Sequence, residues 1–191
     1  PSQKIIPLSE ILATIEKLTG YLSSFSHLQP TYQKTRPNKR VFFAGITAYG
    51  CNIGIPTMAE VAFPLTESEL EQTTNWYFSL KNIDKASDII ANFIQNLDLP
   101  NLYLEHQGKL HTVSDGQRIP LNDPYALHGS YSPKYFRKGK GVSAYAFLDE
   151  RYIPFYSTII DPADREAIYV IDGLLHNEIL SLIHISEPTR R

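Results

Sequence analysis

The segment His111-Thr-Val-Ser-Asp-Gly-Gln-Arg-Ile119 decides how the rest of the chain is read. Thr112 and Val113 are β-branched and favour a strand, which predicts that Asp115 stands at the strand end beside Gly116. Two readings of that Asp compete. Asp-Gly is a strong hairpin-turn signal in its own right. An Asp at the end of a strand is also a hard oxygen ligand, suited to Mg²⁺. Local sequence favours the turn, so the decision rests on what surrounds it.

Downstream, Val142–Leu148 and Tyr152–Ile160 alternate apolar and polar residues, which predicts a hairpin turning near Asp149-Glu150-Arg151. Leu102–Glu105 and Lys109–Ser114 read as further short strands. After Pro162 and Asp164, the spacing of Ile168, Ile171, Leu174 and Leu175 predicts a helix from Arg165 to about Glu178. Upstream the pattern is helical. Ser9 is a candidate N-cap before Ile11, Leu12, Ile15 and Leu18, and Gly20 is a stop signal. A Pro-containing loop spans 29–38, and helices are expected over Asn38–Tyr49, Thr57–Ala62, Glu67–Leu80 and Asp84–Leu97. Trp76 reads as core, because a lone Trp on an amphipathic helix usually packs.

Composition narrows the function classes only a little. Hydrophobic residues make up 42% and charged residues 20% of the 191, ordinary for a globular protein. No apolar run approaches the roughly 18 residues that would span a bilayer, so no membrane partner is expected. Cys51 stands alone, which excludes a disulfide framework and suits a reducing cytoplasm. The six His lack zinc-ligand spacing; His106 and His111 flank a Gly-Lys turn. There is neither a Walker loop nor a nucleophile elbow. A formal charge of −2 provides no global pull on nucleic acid, so any affinity must be local. Lys34, Arg36, Lys39 and Arg40 form one basic cluster; Lys134, Arg137, Lys138 and Lys140 form another, beside Tyr131 and Tyr135. Each is a candidate phosphate-binding patch or a solvated surface. The second lies between the Asp115 strand and the hairpin, which favours DNA.

Seven collinear segments then carry a resemblance. "LATIEKLTGYLSSFSHLQP" (Leu12–Pro30), "NIGIPTMAEVA" (Asn52–Ala62), "TTNWYF" (Thr73–Phe78) and "VSDGQRI" (Val113–Ile119) resemble, in that order, transposases of the Tn-three family. "SPKYF" (Ser132–Phe136), "RYIPFYSTII" (Arg151–Ile160) and "REAIYVIDGLLHNE" (Arg165–Glu178) continue the likeness. No single segment is diagnostic; their order is. The resemblance implies that Asp115 is the first member of an Asp-Asp-Glu metal-binding triad. It implies an α+β chain, with helices followed by the opening part of a ribonuclease-H-like fold, three strands and a helix, truncated before the fourth strand. The expected divisions are residues 1–98, 99–179 and a non-native tail at 180–191. That tail contains "LSLIHISEPTR" (Leu180–Arg190), which resembles a translated sequencing adapter.

The family's second Asp follows in an Asp-Thr-Ala-Gly-like segment, and its Glu lies farther on; neither is found in this sequence. The resemblance therefore implies an intact parent that nicks transposon 3′ ends and transfers them to target DNA. That parent would use Mg²⁺ or Mn²⁺ in a bacterial cytoplasm at the nucleoid, and would self-associate. This chain is expected to be inactive and to hold no metal tightly. Asp172 is a poor second carboxylate, since the family pattern does not make it a ligand. The competing class is a non-catalytic helix-turn-helix module over residues 38–62, with Asp115 in a turn. A third, acid–base hydrolysis by Asp115 and Asp172, requires the two carboxyls to be neighbours.

Overall fold

Gly20 ends the first helix, as its position in the sequence predicts. Helix α1 (Leu8–Thr19) stops where Gly20 adopts a left-handed φ of 67°, and the Gly20 N–H returns to the Glu16 carbonyl. Pro7, not Ser9, stands at its N-cap. The computed structural model describes residues 5–32, 35–103, 112–122, 125–127 and 129–175. Two compact units divide between Ile90 and Ala91.

The first unit is helical. Asn38 caps α2 (Lys39–Gly50) by accepting the Arg40 N–H at 3.1 Å. Helix α2 is the centre of the unit, burying Val41, Phe42, Ala44, Gly45 and Ala48. Its Phe42 meets Phe25 and Tyr77, while Val41, Ala44 and Ala48 meet Met58 and Leu70. Helix α3 (Ile55–Val61) follows, and α4 (Glu67–Tyr77) then begins with a reciprocal capping box: Thr66 Oγ1 accepts the Glu69 N–H while Glu69 accepts from the Thr66 N–H. A Thr66→Ala chain should lose about 1 kcal/mol of stability. Thermal unfolding followed by the emission of Trp76, on the same helix, checks this; an unchanged midpoint would contradict it.

The expected boundary between α4 and the next helix is displaced. Helix α4 stops at Tyr77, and α5 (Leu80–Gln95) starts at Leu80 rather than Asp84. Ser79 supplies the cap, its hydroxyl accepting the Asn82 N–H at 3.2 Å. The Asn82 amide in turn donates to the Tyr77 and Ser26 carbonyls, both at 2.8 Å. A side chain five residues past the helix end thus satisfies its last carbonyl.

The second unit is built on an antiparallel sheet, so the chain is α+β. Leu102 and Tyr103, expected in a strand, form the turn after α6 (Asp98–Asn101), with the Tyr103 N–H donating to Pro100. Residues 104–111, including the rest of that segment, His106 and His111, lie outside the described residues. Strand β1 (Thr112–Leu121) pairs along its whole length with β3 (Lys140–Asp149). The two-residue β2 (Ser130–Tyr131) and β4 (Pro154–Ile160) pair with the other edge of β3. The β3–β4 hairpin turns where predicted. Helix α7 (Pro133–Phe136) sits between β2 and β3, and a 3₁₀ turn (Glu166–Ile168) leads into α8 (Tyr169–Leu175). The expected helix thus starts with a 3₁₀ turn; its part beyond 175 lies outside the described residues, as does the segment 180–191.

Sheet register sorts the side chains. Cross-strand partners share a face, so Gly116, Tyr145 and Thr158 lie on one face, and Asp115, Ala146 and Ser157 on the other. The first face is the core: Tyr145, Phe147 and Ile160 are buried with Ala91, Val170 and Leu174 packed against them. Gly173 of α8 lies so close that a Cβ there would come within 2.3 Å of the Phe147 ring. The opposite face leaves Val113, Ile119 and Ile159 exposed.

Candidate functional site

Asp115 is neither at a strand end nor in a turn. It lies in the body of β1, opposite Ala146, and Gly116 lies opposite Tyr145. The ten-residue ladder overrides the local Asp-Gly hairpin signal, and the turn reading fails. The Asp115 side chain stands exposed on the open face, where Oδ1 accepts the N–H of Gly116 at 2.9 Å. Small side chains at Ala144 and Ala146 flank it across the sheet.

On the core face, the same strand is braced by an ion pair. Arg118 donates to Glu166 Oε1 at 3.0 Å, and its guanidinium lies 3.9 Å above the Tyr135 ring. Glu166 nests against Gly116, where a Cβ would approach Oε1 to 2.4 Å. The missing Cβ at Gly116 leaves room for this carboxylate, which a larger residue would push aside; no turn is involved. The neighbouring Lys134, hydrogen-bonded to the phenol, and then the Arg118 charge hold the Tyr135 hydroxyl below its ordinary pKa. Sequence reasoning missed Arg118 and Glu166 because they lie 48 residues apart.

The second basic cluster surrounds Tyr135. Lys134, Arg137 and Lys138 are exposed and Lys140 is half-buried, and among the described residues no carboxylate pairs with any of the four. The loop is fixed from within: Tyr131 donates to the Lys138 carbonyl, and the tip of the Phe136 ring lies against Gly141. The first cluster is different. Lys39 pairs with the buried Glu16 at 2.9 Å, and Arg36 donates to the Leu22 carbonyl while covering the Phe42 ring at 5.2 Å. Arg40 is exposed, and Lys34 lies outside the described residues.

Two of the alternative readings lose their geometry. Asp172 rides on α8, which covers the sheet face opposite the Asp115 side chain, so the two carboxyls form no acid–base pair. Helix α3, the second helix of the suggested helix-turn-helix, carries no Lys or Arg and exposes Glu60, the wrong charge for a groove-reading helix.

Comparison with known proteins supplies the context that geometry cannot. A family model described as "Tn3 transposase DDE domain" matches residues 10–186. The chain belongs to the Tn3 transposase family. The transposase for transposon Tn1546 of Enterococcus faecium is 32% identical over 173 residues, covering 91% of this chain and 17% of that protein. The transposase for Tn2501 of Escherichia coli is 28% identical over 171 residues, covering 90% and 17%. That for transposon gamma-delta of Escherichia coli K12 is 24% identical over 174 residues, covering 91% and 17%. The chain thus spans about 17% of the length of these Tn3-family relatives. The family match includes the first part of the adapter-like segment 180–190. None of the described helices is long and apolar enough to cross a membrane.

Proposed function

We propose that this chain is the part of a Tn3-family transposase that carries the first metal-binding carboxylate, Asp115, and that its intact parent nicks transposon 3′ ends and joins them to target DNA. The observation that carries this reading is the placement of Asp115 within a family match that spans most of the chain. Its carboxylate projects from a fully paired strand onto an open sheet face, with one oxygen lightly engaged. Such a carboxylate suits a hard divalent cation, Mg²⁺ or Mn²⁺. One carboxylate is not a site, however; among the described residues no group of three His, Cys, Asp or Glu gathers to hold a metal.

When bound, two divalent ions stabilise the attacking and leaving oxygens of phosphodiester transfer. The chain's own contribution is to orient one ligand. The β1–β3 ladder fixes the direction in which Asp115 points, and Arg118 with Glu166 braces the other side of β1. Lys134, Arg137, Lys138 and Lys140, which pair with no carboxylate among the described residues, are assigned to DNA phosphates, as is the exposed Arg40 of the first cluster. Residues 99–179 are assigned to the opening of a ribonuclease-H-like domain and 1–98 to a helical region preceding it. The sheet of three long antiparallel strands, with Asp115 on the first, supports that assignment. A bacterial nucleoid location and self-association of the full-length parent complete the proposal.

The chain alone should not cut DNA. Incubation with Mg²⁺ and a duplex bearing the transposon end should give no nick above background, and nicking would overturn the assignment of an inactive piece. Mn²⁺ should bind only weakly and broaden the amide signals around Asp115. Broadening that survives Asp115→Asn would remove the metal-ligand assignment.

A further inference from the structure

The helical unit contains a feature that the catalytic reading does not use. A groove of about 1410 Å³ opens between α2, α3 and α4, lined by residues of this unit alone. That exceeds the roughly 300–1,000 Å³ of a small-molecule pocket and favours a segment of polymer. At its wall the His27 imidazole stacks on the Trp76 indole, centroids 5.2 Å apart and planes within 9°. Contrary to the core role expected for it, Trp76 is 41% exposed.

The platform is rigidly held. The Leu28 N–H donates to the Trp76 carbonyl at 2.9 Å, and Tyr77 meets the His27 ring edge-on at 5.1 Å. The Gln29 N–H donates to His27 Nδ1, so the neutral ring carries its proton on Nε2. That donor has no partner among the described residues. Around the stack, the groove presents aromatic Tyr32 and Phe63, both largely exposed, amide side chains Gln29 and Gln72, and the exposed cation Arg40. Among the described residues the one carboxylate in the lining, Glu69, is engaged with the N–H and hydroxyl of Thr66, which hold its pKa low.

Rings for stacking, amides for base edges and an exposed guanidinium for phosphate are the chemistry that recognises an unpaired nucleobase. We propose that this groove binds single-stranded DNA, one base stacking against Trp76 and Arg40 meeting the adjoining phosphate. The proposal rests on the DNA-acting reading above, but places a second contact in a different unit.

Trp76 is the only tryptophan, so its emission reports the groove directly. The 191-residue chain is titrated with oligothymidylate while Trp76 fluorescence is read, and separately with a labelled blunt duplex while anisotropy is read. Oligothymidylate should quench Trp76. Arg40→Gln should weaken that binding by roughly tenfold, and His27→Ala should weaken it as well. Lys134→Glu with Lys138→Glu should reduce duplex binding and leave the quench in place. Arg40 is exposed, so its variant tests the idea without threatening the fold. Duplex binding without any Trp76 quench would overturn the groove assignment and leave the basic cluster standing. A Trp76 emission shift that depends on protein concentration, without DNA, would assign the groove to a protein contact and overturn it too. Quenching with no duplex binding would support the groove and count against the DNA role of the second cluster.

Discussion

An Asp149→Ala chain should lose about 3–5 kcal/mol in its second unit, enough to unfold a sheet of marginal stability. Asp149 and Arg151 are buried, 3% and 9% exposed, at the β3–β4 turn. Oδ2 receives the guanidinium at 2.7 Å from Nε and 2.6 Å from the terminal nitrogen. Oδ1 receives the backbone N–H groups of Arg151 and Ile153 at 2.9 and 3.0 Å. Removing the carboxylate therefore takes a charge-assisted acceptor from a buried cation and the acceptor from two buried amide donors together, each loss costly. The turn also holds Tyr152 at a positive φ of 61°, a conformation that needs such support.

Hydrogen exchange of the β3 and β4 amides under increasing urea is the direct measurement. A loss below about 1 kcal/mol would mean that the pair contributes little beyond a surface ion pair. The consequence reaches Asp115, because β3 is the strand that fixes the register of β1. Slippage by one residue would turn Asp115 to the core face.

Features set by neighbours in the chain were legible in the sequence. Gly20, Asn38 and Thr66 mark helix ends through bonds spanning a few residues, and the hairpin announces itself by alternation on both sides of Asp149. Features set by distant partners were not. Asp115-Gly116 reads as a turn until ten residues of β3 pair across it. Gly116 lies against the Glu166 carboxylate, which no local rule connects to it. Trp76 reads as core by residue type, yet the ring that packs on it, His27, comes from a loop beyond the reach of helical periodicity. The family of the chain was legible because seven segments kept their order, a signal independent of any one contact. The two basic clusters look alike in sequence and differ in structure. Burial of Glu16 and the approach of Arg36 to Phe42 tie two exposed cations of the first cluster to the fold, which the second cluster's Arg137 and Lys138 do not share.

Phe42→Ala should be the most damaging single truncation in the helical unit, at about 3–5 kcal/mol. Its ring is 0% exposed and meets three others: Phe25 at 5.7 Å, Tyr77 edge-on at 5.3 Å and Phe78 at 6.3 Å. Alanine removes the apolar area and leaves a cavity that this rigid aromatic cluster closes poorly. Phe42→Leu fills part of the volume and should cost less. Urea unfolding read by Trp76 emission ranks the two, and equal midpoints for Ala and Leu would show that the site collapses freely. Tyr77 stands edge-on to both Phe42 and His27, and His27 lies flat on Trp76. Loosening Phe42 therefore removes the back support of the stacking platform. In the folded Phe42→Leu chain the Trp76 quench by oligothymidylate should weaken along with stability. Arg40→Gln should weaken the quench without moving the unfolding midpoint, since its side chain contributes charge to the groove and no packing to the core.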